Sequence, residues 1–342
     1  MIRIILAALL LASSVAAQVP PESMAMTQPL VIAHRGASGE RPEHTRAAYE
    51  LAIEQGADFI EPDLVMSKDG HLIVRHENEI GGTTDVSDHP RFADRRTTKT
   101  VDGVATTGWF TEDLTLAELQ TLRARERLPA LRPGNTAYAD ETILTFQQVI
   151  DIAREASVRT DRVIGVAPEL KHPSYFAGIG LPMVAPFVEM VRRNDLDAAD
   201  SPIVVQCFEV GALRQLNGLI DSPLAQLMSP SGGPADLPGA AYADMITPEG
   251  LAGLATYAEW AAVETAMVIP RTAAGAAGRP TTLVADAHAA GLKVVVWTFR
   301  AEDMFLPTDH RHDLSSWIRR FYDLGVDAVF SDFPGVAVAA RP

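Results

Sequence analysis

Cysteine is almost missing from this chain: one residue, Cys207, in 342. That excludes an intrachain disulfide, a CxxC redox pair and a cysteine zinc site. Cys207 lies in the apolar run IVVQCFE, where a small buried strand residue is the ordinary reading. Positive charge is also scarce, with 29 Lys and Arg against 44 Asp and Glu and a formal charge of -15. Such a surface argues against nucleic acid or an anionic membrane as a general partner. An anionic substrate would have to be held by a metal or by a few local cations. No GxGxxG follows the first apolar run, so the signature of a dinucleotide-binding sheet is missing too. There is no internal repeat and no low-complexity linker.

What the chain does have is enough apolar residue, 47%, to bury a large core. It opens MIRIILAALLLASSVAAQVPPES, with Arg3 ahead of an apolar stretch and Val15 and Ala17 at small-residue positions. The stretch is short for a membrane span, and Pro20-Pro21 stops it as a helix. This predicts a signal peptide, 1–17, and a mature protein, 18–342, that works in the periplasm or is secreted. An uncleaved membrane anchor is the competing reading. No cysteine near the cleavage point supports a lipid anchor.

Beyond residue 29, short apolar runs alternate with amphipathic helical patterns. LVIAH, ADFIEPDLV, RVIGVAPELK, PIVVQCFE, LAQLMS, WAAVETAMVIP, KVVVWTFR and DAVFSDFP are the eight runs. Near-continuous apolar strands between helices indicate a parallel sheet covered on both faces. Eight of them predict an α/β fold, a closed (β/α)8 TIM barrel, with an open doubly wound sheet as the alternative. Residues 64–142 break the rhythm and predict a small insertion after the second strand, lying over the barrel mouth. One strand pair is clear there. In DLVMSKDGHLIVRH, a two-residue Asp69-Gly70 turn would place Asp63 directly opposite His76.

The C-terminal ends of barrel strands converge on one mouth, where active sites form. Strand one ends in His34 and Arg35. Strand two carries Glu61 and Asp63, and the next carries Glu169 and Lys171, each pair spaced i, i+2 and so on one face. The hairpin returns His76. Charges at the ends of apolar strands are costly to bury unless paired or metal-bound. Three carboxylates without cysteine favour Ca2+ first, with Mg2+ as the alternative, over zinc. Two histidines suit general acid and general base work near neutral pH. Arg35 can grip a phosphate oxygen, and Lys171 can add a point charge. The set reads as phosphodiester-cleaving machinery.

The ordered motifs HRGASGERPEHT (34–45), EPDLVMSKDGHLIVRH (61–76), PELK (168–171), VWTFR (296–300) and SDFP (331–334) resemble the glycerophosphodiester phosphodiesterase family, and most its signal-bearing periplasmic branch. The resemblance implies hydrolysis of glycerophosphodiesters to sn-glycerol 3-phosphate and an alcohol. It implies His34 and His76 as the catalytic pair, Glu61, Asp63 and Glu169 as ligands of one divalent cation, and Arg35 and Lys171 as phosphate contacts. Glu43 becomes a metal or substrate contact. Two departures stand out: HENEI (76–80) where many relatives carry an aspartate directly after the histidine, and Pro62 in place of a more usual residue.

Other residues keep two readings. Trp297 and Phe299 could line the glycerol pocket or pack the core. Asp332 could orient the site or cap the segment after it. Arg300 reads as solvated, and His44 as part of the loop before the first helix. Two functions compete with the first: a phospholipase or sphingomyelinase D-like lipid phosphodiesterase, which needs an apolar rim, and a non-enzymatic binding protein on the same barrel. The expected partner is a small-molecule glycerophosphodiester, with no nucleic acid and no stable membrane insertion.

Overall fold

The computed structural model describes residues 28–342. The expected signal peptide lies outside the described residues. Strands β1 (Leu30–His34), β2 (Phe59–Glu61), β3 (Asp63–Met66), β4 (Leu72–Val74), β5 (Thr97–Val101), β6 (Val104–Gly108), β7 (Gly165–Val166), β8 (Glu169–Leu170), β9 (Val205–Cys207), β10 (Leu224–Met228), β11 (Trp260–Glu264), β12 (Lys293–Phe299) and β13 (Ala328–Ser331) follow in chain order. The runs ADFIEPDLV and RVIGVAPELK are each split in two, at Pro62 and at Ala167-Pro168. Proline has no N–H to give a ladder. The Pro62 carbonyl still accepts from Glu169 N at 3.0 Å, so the two broken strands stay joined.

Parallel pairing runs β13–β1–β2 and on to β7, with β3 on β8, then β8–β9–β10–β11–β12–β13. Counting each split strand once, the ring closes on itself as a (β/α)8 barrel. Alternation follows the two-residue strand period. Ile32, Leu227, Ala262, Val295 and Phe330 fill the interior, while Val31, Ala33, Val263 and Val329 face the helices. The helices turn one apolar face inward. Leu314, Trp317, Ile318 and Phe321 of Leu314–Tyr322 are buried, each worth about 1.5–3 kcal/mol against exposure. Thr145 starts Phe146–Thr160 with a reciprocal cap to Gln148, the expected helix-start chemistry. Among the described residues, no helix is long and apolar enough to cross a membrane.

The segment after β3 departs from expectation twice. β4 does run antiparallel to β3, but Leu64 pairs with Val74 and Met66 with Leu72. Asp63 therefore lies opposite Arg75, whose N donates to the Asp63 carbonyl at 3.0 Å, and not opposite His76. The cause is the turn. A two-residue turn of this kind needs both central residues at positive φ, and only Gly70 is there, at +83°. Ser67 closes on His71 instead, N to carbonyl O at 2.9 Å, and its hydroxyl donates to Asp69 at 2.7 Å. Lys68, Asp69 and Gly70 make a three-residue loop. The second departure is a hairpin not expected, β5–β6. Its turn, Asp102 at φ +47° and Gly103 at +81°, is the two-residue form.

Candidate active site

The mouth begins where β1 stops. Arg35 and Gly36 take φ +59° and +83° and turn the chain off the strand. Gly36 is required, since a Cβ there would come within 2.6 Å of the Ala48 backbone. The tight turn presents the Arg35 N–H to Glu61 Oε2 at 2.6 Å. It also lets the Arg35 guanidinium reach Glu43 at 3.0 Å and Asp63 at 3.3 Å.

Glu61, Asp63 and Glu169 come together. One carboxylate oxygen from each lies within 4.8 Å of the others, and all three residues are buried. Asp63 Oδ2 meets His44 Nε2 at 2.8 Å. Its Oδ1 has Lys171 Nζ at 3.4 Å but no hydrogen-bond donor. Lys171 also pairs with Glu169 at 2.7 Å. Burial and the charge of Asp63 push Glu61 well above the usual carboxylate range. Burial, against the pull of Lys171, pushes Glu169 up to about 8. Although burial favours its neutral form, Lys171, His76 and His44 hold Asp63 well below its ordinary value. An oxygen-only triad with an unsatisfied buried oxygen and two carboxyls reluctant to ionise could hold a hard divalent cation.

The two histidines are built alike. His34 Nδ1 meets Asp332 Oδ1 at 2.6 Å, and Asp332 Oδ2 takes Arg132 at 2.6 Å and Arg300 at 3.1 Å. His76 Nδ1 meets Glu77 Oε1 at 2.5 Å, and Arg127 bridges Glu77 and Glu43 at 2.5 and 2.7 Å. Carboxylates only accept, so each Nδ1 is the donor and each Nε2 keeps a lone pair. Burial and Arg35 lower His34 to about 4, against the raising effect of Asp332. Burial, Arg35 and Lys171 lower His76 to about 3. Both imidazoles border one cavity of about 240 Å³ that also takes in Arg35, Lys171, Trp297 and Arg300.

Trp297 thus stands at the cavity, its indole N–H donating to the Ala262 carbonyl at 3.2 Å. Phe299 does not. It is buried edge-on against Phe321 at 4.9 Å, so the core reading is the correct one for it. Glu43 is gripped by two arginines and stands outside the carboxylate triad. His44 does lie in the turn before the first helix, as expected, but it is fully buried there, with Nδ1 at 2.9 Å from the Tyr49 hydroxyl. Arg300 was expected to be solvated; about a third of its side chain is exposed, and it lines the cavity as well. Asp332 takes the orienting role. Arg127 and Arg132 were invisible in the sequence, since both lie in the least patterned segment, where Arg123 and Arg125 stand close by and nothing sets these two apart.

A parallel barrel with this mouth is the scaffold of an enzyme that handles an anionic small molecule. The glycerophosphoryl diester phosphodiesterase family matches residues 34–336, and the chain belongs to that family. It is 35% identical over 334 residues to a glycerophosphodiester phosphodiesterase of Arabidopsis thaliana, covering 90% of this chain and 85% of that one. It is 26% identical to one from Treponema pallidum, covering 90% of each. Among solved structures, a glycerophosphodiester phosphodiesterase of Agrobacterium tumefaciens superposes with a TM-score of 0.60 at 18% identity, over 91% of this chain and 99% of that one. A phosphodiesterase of Oleispira antarctica in complex with the product sn-glycerol-3-phosphate superposes at 0.62, with 24% identity over 92% and 96%. The chain is accordingly a phosphodiesterase enzyme acting on glycerophosphodiesters.

Proposed function

We propose that this enzyme hydrolyses glycerophosphodiesters to sn-glycerol 3-phosphate and an alcohol, with one divalent cation on Glu61, Asp63 and Glu169 and with His34 and His76 as the acid–base pair. The observation that carries the reading is the matched pair of carboxylate-anchored imidazoles on one cavity with the carboxylate triad at its side. Because the donors are all oxygen, a hard cation fits the triad; we favour Ca2+, with Mg2+ as the alternative. When bound, the cation supplies charge neutralisation at the phosphodiester.

The chain's own residues do the rest. Arg35 and Lys171 hold the phosphate oxygens while remaining tied to the triad. Both histidines are neutral at pH 7 before substrate arrives, so one can accept a proton from the attacking hydroxyl as it stands. The other must be protonated first. The negative phosphodiester raises its pKa, and its carboxylate partner stabilises the imidazolium. As the new P–O bond forms, the bond to the alcohol breaks and that imidazolium gives its proton to the leaving oxygen. The attacking group is water or the substrate's own 2-hydroxyl, which would give a cyclic phosphate first. Trp297 contributes an apolar wall for the glycerol carbons.

The test is release of sn-glycerol 3-phosphate from glycerophosphocholine by residues 18–342, with EDTA and then with added Ca2+ or Mg2+. Metal-restored release supports the reading. No release with either ion, here or from glycerophosphoethanolamine and glycerophosphoglycerol, overturns it. We also place the protein in the periplasm or outside the cell, on the strength of Arg3 and the apolar stretch after it. A mature N-terminus at Gln18 would support that, and an intact Met1 in the cytoplasm would contradict it.

A further inference from the structure

The mouth has two lobes of opposite character. Beside His34 lies a small one lined by Arg35, Arg127, Arg132 and Arg300, with Glu43 and Asp332 among them. Beside His76 lies a larger one of about 490 Å³, which shares His76, Glu169, Lys171 and Phe208 with the catalytic cavity. Its far wall is built by Phe208, Glu209 and Tyr242.

Glu209 is unlike the other carboxylates on that wall. Glu77 pairs with Arg127, Asp102 with His172 and Glu169 with Lys171. Glu209 is 4% exposed, and its two oxygens accept only from Ser174, from the backbone N at 2.9 Å and the hydroxyl at 3.0 Å. Both donors are neutral. A buried carboxylate without a counter-charge is expensive to keep, and burial pushes Glu209 up to about 7. The aromatic wall stands beside it. Phe208 packs edge-on against Tyr242 at 6.0 Å and against Trp297 at 5.8 Å. Aromatic rings next to an uncompensated carboxylate are the usual means of recognising an organic cation.

We propose that the His76-side lobe takes the alcohol half of the substrate and selects an ammonium-bearing alcohol, primary or quaternary, through Glu209, Phe208 and Tyr242. The proposal rests on the phosphodiesterase reading above. Lys171, 5.9 Å from the Phe208 ring, does not oppose it, because ionised Asp63 holds that charge on the phosphate side. In the lobe beside His34 four arginines outnumber the two carboxylates between them, so that lobe favours the same cation less.

The test compares kcat/KM for glycerophosphocholine and glycerophosphoethanolamine with that for glycerophosphoglycerol, in wild type, Glu209→Gln and Tyr242→Leu. The ratio favouring the ammonium substrates should fall about tenfold in Glu209→Gln, the size of one cation–carboxylate or cation–π contact. An unchanged ratio in both variants overturns the lobe. If Glu209→Gln fails to fold by circular dichroism, Tyr242→Leu carries the comparison alone. Calorimetry with choline separates this proposal from the one it rests on. Choline binding lost in the variants supports the lobe even if no glycerophosphodiester is cleaved. No choline binding by wild type, together with equal turnover of all three substrates, overturns it.

Discussion

The barrel strands and the inserted segment contribute to the mouth in different ways. His76 apart, which follows β4, the strands supply the reactive groups: His34, Glu61 and Glu169, which line the cavity, and Asp63 beside them all sit at strand ends. The insertion supplies what holds them. Arg132 grips Asp332 behind His34, and Arg127 grips Glu77 behind His76. Each histidine is thus fixed by a carboxylate, and each carboxylate by an arginine from a segment with no barrel rhythm. A scaffold can put reactive groups in one place, but orienting them to within a hydrogen bond needs a second layer of contacts.

The sharpest way to break the comparison is on the barrel side. Asp63→Asn removes the charge that meets His44, Arg35 and Lys171 at once. We expect kcat/KM for glycerophosphocholine to fall by about a thousandfold or more, with Ca2+ binding lost in calorimetry. On the insertion side, Arg132→Met should lower kcat by about ten- to a hundredfold with KM little changed, because His34 is then held by Asp332 and Arg300 alone. Asp332 would be left buried with one cation fewer. A melting experiment should register a loss of up to about 3–5 kcal/mol. Arg127→Met should cost less stability, since Glu77 is about a third exposed and buried Glu43 keeps Arg35, while still lowering kcat.

A third prediction concerns pH. Burial raises Glu169 to about 8, so between the ordinary carboxylate range and pH 8 the folded, ion-free protein holds a proton that the unfolded chain has released. That group therefore subtracts stability as pH rises through this window. A bound cation displaces the proton, so Ca2+ affinity should increase from pH 6 to pH 8 and level off above it. Calorimetry in buffers of different ionisation heat would read the released proton. Affinity independent of pH in that range would contradict the assignment of Glu169. The smallest effect is expected far from both regions. Arg46→Ala breaks an exposed pair with Glu50 at 3.1 Å and should move stability by less than about 0.5 kcal/mol, with turnover unchanged.

Much of the barrel was legible because strand periodicity and helix spacing are local properties. The i, i+2 spacing of Glu61 with Asp63 was enough to converge them, even across the break at Pro62. Register was not legible. A single residue of turn length separates Asp63 facing His76 from Asp63 facing Arg75, and the choice lay in the Ser67–Asp69 contact and the φ of Asp69. His76 still reaches the cavity because it lies just past the end of β4. The arginines of the insertion left no usable pattern, since their carboxylate partners are remote in sequence and an arginine among others in a polar segment reads as solvent-facing. Phe299 failed for a simpler reason: spaced i, i+2 from Trp297 it should share that residue's face, but the pairing of β12 on β13 shifts register between Val296 and Phe299 and turns Phe299 to the helix side.

The most direct test of the central claim is turnover of glycerophosphocholine by His34→Ala and His76→Ala, each verified as folded and loaded with Ca2+. If the two imidazoles are the acid–base pair, each variant loses about a hundredfold or more in kcat, and the double variant loses little beyond the worse single one. Wild-type turnover in either folded, metal-loaded variant would contradict it.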